Sequence, residues 1–591
     1  MSPKNARPTQ GYVLITSLMA LILLILLVTV YLTTSLTAPK TARANADSLS
    51  GFMAAEGGLN MRSAVIREKF IGFERPSGTS PTDPKIACTS AAAQGSGDFA
   101  CQIFALGGKQ VKSYINETTK DPNGDSGTVS AGELYAGLSF LQYSYRVNSV
   151  ATNGTDKQAD VSMQFQSRLV PLFQFAAFYT SDLEINPGAA MTLNGRVHTN
   201  GGLYMSPGAN LSITGKVSAG QGIYRTRKDT SACNGGSVQF SVSTPLGCTG
   251  GGELSPTQLA AYQGYVLSHQ PQLTVPSLTT LDPDPTGASK NELWSKADVR
   301  VVATPCGPTF CLSVQKADGT TDLVASTALA ACSLPGPTAA IGFNTSMYDA
   351  RENKNIQMMD VNTTLLLTCI QNSGAFKDSN GAPLTMADTT GGGLALHLSF
   401  APPGPAYGVR VKNAQTVGTV NGIVPKGLTI ATNEPMYVQG DYNNPSDPSK
   451  RVSASLLADS INVLSNAWSD LNKTSSTSVS NPNLKASTTT INAAFLAGIV
   501  PTAGATYSGG LENYPRLHEN WSGVTLNYSG SFANLGASRF GTAKWPGTGG
   551  NFYEAATRNW SFDTNFANAD KLPPLAPRFI YLRQLYFARN Y

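Results

Sequence analysis

Residues 11–32, GYVLITSLMALILLILLVTVYL, contain no charged side chain and follow a polar leader that carries Lys4 and Arg7. About 20 apolar residues at a rise of 1.5 Å cover a hydrocarbon core of roughly 30 Å, so this run can cross a bilayer as one helix. Everything downstream must hang from the end of that helix. The leader's positive charges hold the N-terminus on the cytoplasmic side. A cleaved secretory signal has a shorter apolar core and a small-residue cleavage site; no A-x-A pattern comes right after Leu32, so the helix is expected to be retained.

A polar segment containing Pro39 leads into an apolar stripe of Leu49, Phe52, Leu59, Ile66 and Phe70, spaced for one helical face. Pro39 is expected to kink or interrupt the helix. Gly11 stands directly before Tyr12, Val13 and Leu14, and FMAAEGGLNMR follows at 52–62. The first is similar to a class III leader junction and the second to an F-x-A-A-E-x-x-L signature after the membrane helix, so the chain resembles the type IV pilin superfamily and, within it, the large PilX-type minor pilins. The resemblance implies that a prepilin peptidase cuts between Gly11 and Tyr12. It also implies that the helix waits in the bacterial inner membrane with the bulk of the chain exported, and that the partners are other pilins and the pilus assembly machinery. The family's glutamate at the fifth mature position is replaced by Thr16, as in some minor pilins and in the tip pseudopilin of type II secretion. Thr16 and Glu56 are the filament-contact candidates. Glu56 reads either as a solvated helix carboxylate or as one half of an intersubunit ion pair.

At 591 residues the chain exceeds one ordinary domain, and with 13% charged residues, 57 Gly and 35 Pro it favours turn-rich β structure. A net charge of +5 without a Lys/Arg-rich run gives no support to nucleic-acid binding. Eight cysteines lie beyond the helix, and neighbours in sequence offer the pairs Cys88/Cys101, Cys233/Cys248, Cys306/Cys311 and Cys332/Cys369.

The loop DPNGDSGTVSAGE, 121–133, places Asp121, Asn123, Asp125 and a distal Glu133 in a pattern near that of a calcium loop, with one residue inserted. The alternative reading is a capping box, Ser130 with Glu133, opening a short helix. From 138 to 170 the sequence alternates, with Leu141, Tyr143, Tyr145 and Val147 on one face, a turn at Asn153-Gly154, then Val161, Met163, Phe165 and Leu169; this predicts a long antiparallel hairpin.

TLNGRVHTNGGLY (192–204) and SITGKVSAGQGIY (212–224) align without a gap at a period of 20. A repeat with so little apolar content per unit buries its aliphatic side chains only by stacking, as in a solenoid. In this alignment His198 faces Ser218, which suggests a corner or surface position. Short aliphatic strands with polar corners return at 427–444 and 453–468. The aromatic-rich end, 507–591, reads as a terminal cap or as an adhesive face.

Nothing resembles a nucleophile elbow, a zincin helix or a phosphate loop. His518, between Glu512 and Glu519 and beside Arg516 and Trp521, is the most conspicuous local group, and Asp441 and Asp459 are the carboxylates nearest to a solenoid groove. The chain is therefore not expected to be an enzyme, and no cofactor is expected beyond the candidate calcium loop. The expected architecture is mostly β with a long N-terminal α-helix: a pilin-like α+β stem followed by a right-handed β-solenoid-like domain. Its parts are a leader at 1–11, a helix at 12–70, a head at 71–170, the start of the solenoid at 171–225, a disulfide-containing insertion at 226–413, and continued solenoid with its cap at 414–591. The expected role is display of the exported β domain on a pilus or cell surface, with an unknown surface ligand.

Overall fold

In the computed structural model, the described residues are 10–71, 75–81, 86–121, 124–241, 245–248, 250–284, 291–307, 309–336, 338–378, 380–417 and 419–590. One helix, Gln10–Ile71, runs unbroken for 62 residues, roughly 93 Å at 1.5 Å per residue. Pro39 lies inside it without ending it. The hydroxyls of Thr16, Thr29, Thr34 and Thr37 each donate to carbonyls three and four residues back, so these side chains need no water to be satisfied.

The helix changes character near residue 50. Its first part is exposed, whereas Ala55, Leu59, Ile66 and Phe70 are buried at 0, 1, 0 and 2% exposure against Val111, Ile115, Tyr145, Val147 and Val161. Gly58 sets the distance: a Cβ there would lie 2.5 Å from Val111 Cγ1 and 2.9 Å from Ser149 Oγ. Arg62, 1% exposed, donates to the carbonyls of Asp98 (2.7 Å) and Ala100 (2.9 Å). Leu49, expected on the buried stripe, is instead 57% exposed.

The helix packs on a six-stranded sheet in which Gln102–Leu106, Lys109–Glu117, Ser139–Asn153, Asp156–Pro171 and Arg578–Asn590 follow one another, with Asp125–Thr128 also pairing to Ser139–Asn153. The expected hairpin turns at Asn153 opposite Asp156 and pairs Tyr145 with Phe165 and Val147 with Met163. The strand Arg578–Asn590 is a correction to the expected cap. The C-terminus does not cover a solenoid end; it crosses back and pairs antiparallel with Asp156–Pro171, aligning Phe579 with Val170 and Asn590 with Asp160. The reason is an edge that needs covering: Asp156–Pro171 would otherwise expose a long row of unpaired backbone groups.

Most of the remaining strands are short, parallel and stacked, as the 20-residue repeat demands. Leu203 pairs with Ile223, Tyr204 with Tyr224, Ile213 with Leu193 and Val217 with Val197, the pairs read from the sequence alignment. Gly215 makes this stacking possible, since a Cβ there would lie 2.2 Å from the backbone of Gly195 on the neighbouring coil.

The order of the coils differs from chain order. In the largest sheet the parallel strands run Val299–Cys306, Leu394–Phe400, Gly427–Ala431, Ser453–Leu457, Ala494–Ile499, Phe532–Ala537, then Ala177–Tyr179, Val197–Thr199, Val217–Ala219 and Val266–Leu267. The chain thus enters in the middle of the stack, builds outward, returns to the opposite end, and closes on its own first coil, where Phe532 pairs with Ala177 and Asn534 with Tyr179. Nine strand spacings of about 4.8 Å make a return of roughly 43 Å, which the 268–298 connection covers easily at about 3.3 Å per extended residue. Along the way Leu278 and Leu281 are buried against a cluster that includes Ala431, Leu457 and Leu496, closing the outer face of the sheet.

Residues 226–413 contribute strands to the stack, between which lie the antiparallel pairs Val299–Cys306 with Thr309–Gln315 and Ile341–Asp349 with Lys354–Asn362 and the helices Leu323–Cys332 and Thr363–Ser373. Val299–Cys306 and Leu394–Phe400 are strands of the same sheet, and Tyr407–Lys412 belongs to a second parallel-rich face with Met436–Gln439, Ile461–Leu464 and Pro515–Leu517. All four sequence-adjacent cysteine pairs form disulfides: Cys88–Cys101, Cys233–Cys248, Cys306–Cys311 and Cys332–Cys369.

Candidate membrane and filament interface

The unpacked part of the helix is the largest apolar surface on the described chain. Tyr12, Leu14, Leu18, Leu23 and Leu27 are 75, 73, 57, 61 and 62% exposed, and the helix is long and apolar enough to cross a membrane. Isolated exposed apolar residues are ordinary on a soluble domain, but a continuous apolar cylinder several turns long is not. Gly11 lies in the first turn of the helix, and residues 1–9 of the expected leader lie outside the described residues. Thr16 bonds only inward, its hydroxyl 3.0 Å from the carbonyls of both Tyr12 and Val13. It therefore brings no charge to this surface.

A second apolar surface lies beyond the polar segment, where the helix meets the head. Ala46, Leu49, Met53, Ala54 and Gly57 on the helix, with Leu106 and Gly107 on the edge hairpin, line an open apolar groove of about 500 Å³. Beside it the C-terminal strand clasps the helix: Phe587 meets Phe52 edge to face at 6.2 Å, and Arg589 donates to Ser48 Oγ at 2.9 Å. Glu56 is half-buried and has no ion pair among the described residues. The clasp was not legible from the sequence, because nothing local links residues 587–589 to 48–52.

The other sequence candidates fall into structural positions. Glu133 pairs with Arg168 at 3.1 Å and Arg583 at 3.4 Å, while Asp125 accepts from the backbone amide of Asp121 at 3.1 Å. Asn123 lies outside the described residues, and residues 131–137 form turns in place of the short helix of the capping-box reading. Among the described residues no three metal-ligating side chains converge. Asp459, fully buried, accepts from Ser538 and from the backbone amides of Arg539 (2.7 Å), Phe540 (2.9 Å) and Gly541 (3.2 Å), anchoring a loop. Asp441 accepts from Asn466 Nδ2 at 2.8 Å and from the Thr490 amide at 2.9 Å.

The buried histidines are neutral supports. His198, expected at a corner or surface, is fully buried, with Nδ1 2.7 Å from Ser218 Oγ and Nε2 3.1 Å from Asn200 Oδ1; burial lowers its pKa to about 4. His518 is bonded to Asn462 Oδ1 at 2.9 Å, and burial lowers its pKa to about 3 against the opposing pull of Asp349. Glu519 points away from it to Ser465, at 2.6 Å from the amide and 2.7 Å from the hydroxyl, so the residues adjacent in sequence do not converge.

No family model matches the chain, and no curated protein matches it. Among solved structures, the crystal structure of competence-associated pilin ComZ from Thermus thermophilus aligns with 92% of this chain and 97% of that chain, at 12% identity and a TM-score of 0.27. A score of that size carries no argument about function, and the chain's own residues must supply it.

Proposed function

We propose that this chain is a minor subunit of a type IV pilus or related pseudopilus, anchored by its apolar helix before assembly and carrying a large exported β module for priming or tip display. The observation that carries this reading is the division of one unbroken helix. Its run 12–32 is apolar and exposed throughout, while its last twenty residues are docked on an antiparallel sheet. Lipid covers the apolar surface before assembly; neighbouring pilin helices cover it afterwards, so the transfer exchanges one apolar environment for another instead of exposing it to water. The groove along Leu49, Met53 and Leu106, beyond the polar segment, gives the head an apolar surface of its own. Thr16 in place of a carboxylate removes the charge that would pair with a neighbouring mature N-terminus, which favours a minor or terminal position. The bulk of the β module does so too.

Prepilin peptidase is the first partner under this reading, then other pilins and the assembly machinery. Intact-mass measurement of the purified protein tests it: a mature chain beginning at Tyr12 is expected. A chain retaining Met1 or Ser2 overturns the pilus reading in favour of a membrane-anchored surface protein.

A further inference from the structure

Where the turn between the strands Ile341–Asp349 and Lys354–Asn362 meets the segments 508–516 and 541–543, a cleft of about 20 Å³ is lined by Arg351, Ser460, Arg516 and Gly541. One water-sized particle needs about 10–15 Å³, so the cleft admits one and no second. Two guanidinium groups border it, Arg351 at 5% and Arg516 at 6% exposure. Among the described residues no carboxylate lines it.

The two arginines differ in what answers their charge. Arg516 pairs with Glu352, whereas Arg351 enters no ion pair among the described residues. Its Nη2 donates to Asn513 Oδ1 at 2.7 Å, and its Nε and Nη1 are buried with no hydrogen-bond partner. The nearest carboxylates are engaged elsewhere. Asp349 accepts from the amides of Arg351 (2.8 Å) and Glu352 (3.0 Å) and from the Tyr437 hydroxyl (2.6 Å), while Glu352 also accepts from the Ala543 amide at 3.2 Å. A buried cation without a counter-charge is costly, and a bound anion removes that cost.

A third donor faces the same space. The Ser460 hydroxyl is buried and unpartnered, and it converges with Arg516 on Gly541: a Cβ on that glycine would lie 2.5 Å from Ser460 Oγ and 2.6 Å from Arg516 Nη1. The missing side chain at 541 keeps the space open. A water held here must place its own two protons, and guanidinium groups offer no acceptor; a halide accepts from every side.

We infer that this cleft binds one water-sized monovalent anion, a halide such as chloride, which ties the 349–352 turn and Ser460 to the segments 508–516 and 541–543. The inference goes beyond the assembly reading and does not depend on it, since binding is measured on the detergent-solubilised full chain whether or not that chain enters filaments.

Thermal melting at constant total sodium, with chloride replacing the bulky anion gluconate, and chloride NMR linewidths test it. The melting temperature should rise with chloride and level off as the site fills. Chloride lines should broaden with the protein and sharpen again when bromide competes. Arg351→Met removes the unpaired charge, so it should melt no lower than the parent in gluconate and lose both chloride effects; Ser460→Ala should weaken chloride binding about tenfold. Equal melting in the two salts with unbroadened chloride lines overturns the inference, as do chloride effects undiminished in folded Arg351→Met. Should Arg351→Met fail to fold, Ser460→Ala binding chloride as tightly as the parent overturns it.

Discussion

Gly215→Ala isolates the coil-on-coil contact that makes the β module a stack. The backbone there does not need a positive φ, so an L-residue is not strained by conformation, and the obstacle is the neighbouring coil alone. The new Cβ would sit 2.2 Å from Gly195 C and O and 2.5 Å from Arg196 N, where ordinary contact is 3.4–4 Å. Backbone cannot rotate out of the way as a side chain can, so one coil must retreat by roughly 1 Å from a spacing of about 4.8 Å. The hydrogen bonds flanking the contact, Thr214 N to Leu193 O at 3.0 Å and Val197 N to Lys216 O at 2.9 Å, would lengthen with it. Two weakened bonds at about 1 kcal/mol each and overpacking of about 1–3 kcal/mol outweigh the roughly 1 kcal/mol gained by replacing glycine; the net is a local loss of about 3 kcal/mol. Hydrogen exchange followed by mass spectrometry should show amides in 193–219 exchanging on the order of 100-fold faster. Gly235→Ala is the control, with nothing within 4 Å of its Cβ, and should change nothing. If both variants exchange like the parent, the coils do not stack with this register.

Two further perturbations address the buried charge and the C-terminal clasp. Burial, with Asp459 adding to it and the Gly404 amide opposing it, raises the Glu434 pKa from 4.5 to about 9. Between those values the unfolded carboxyl is ionised while the folded one keeps its proton, so stability falls as pH rises from about 4.5 toward 9. Glu434→Gln should remove that component, and the melting temperature should drop less from pH 5 to pH 9 than in the parent; equal drops refute it. Phe579 is fully buried, with its ring 5.3 Å from Tyr135 and 6.2 Å from Phe175. Phe579→Ala should cost about 3–5 kcal/mol and free the C-terminal strand, seen as protease cleavage within 578–590; an uncut tail refutes its role as the anchor.

The features legible in the sequence were those written in local periodicity. The hairpin was carried by alternation and Asn153-Gly154, and the register of the first coils by a gapless repeat in which Leu203 and Ile223 occupy the same slot. Adjacency in the order of the cysteines carried the disulfides. Coil order was not legible, because parallel strands of two to eight residues carry no record of which neighbour they join; Phe532 beside Ala177 is decided by closure of the stack. The C-terminal strand was misread for a related reason: its aromatic residues suit a cap and an edge strand equally, and only the unpaired edge of Asp156–Pro171 selects between them. His198 was placed outside because its repeat partner is a serine, yet the pair is a buried hydrogen bond. At the interface, the apolar run announced itself, whereas the clasp at Phe52 joins segments hundreds of residues apart.

The central claim is that the helix seats this chain in a filament. Sheared and purified filaments, separated from membranes and probed quantitatively for this chain, test it most directly. The account predicts the chain in the filament fraction, at far lower abundance than the major pilin and lacking residues 1–11. Its confinement to the membrane fraction in cells that make filaments would contradict the claim.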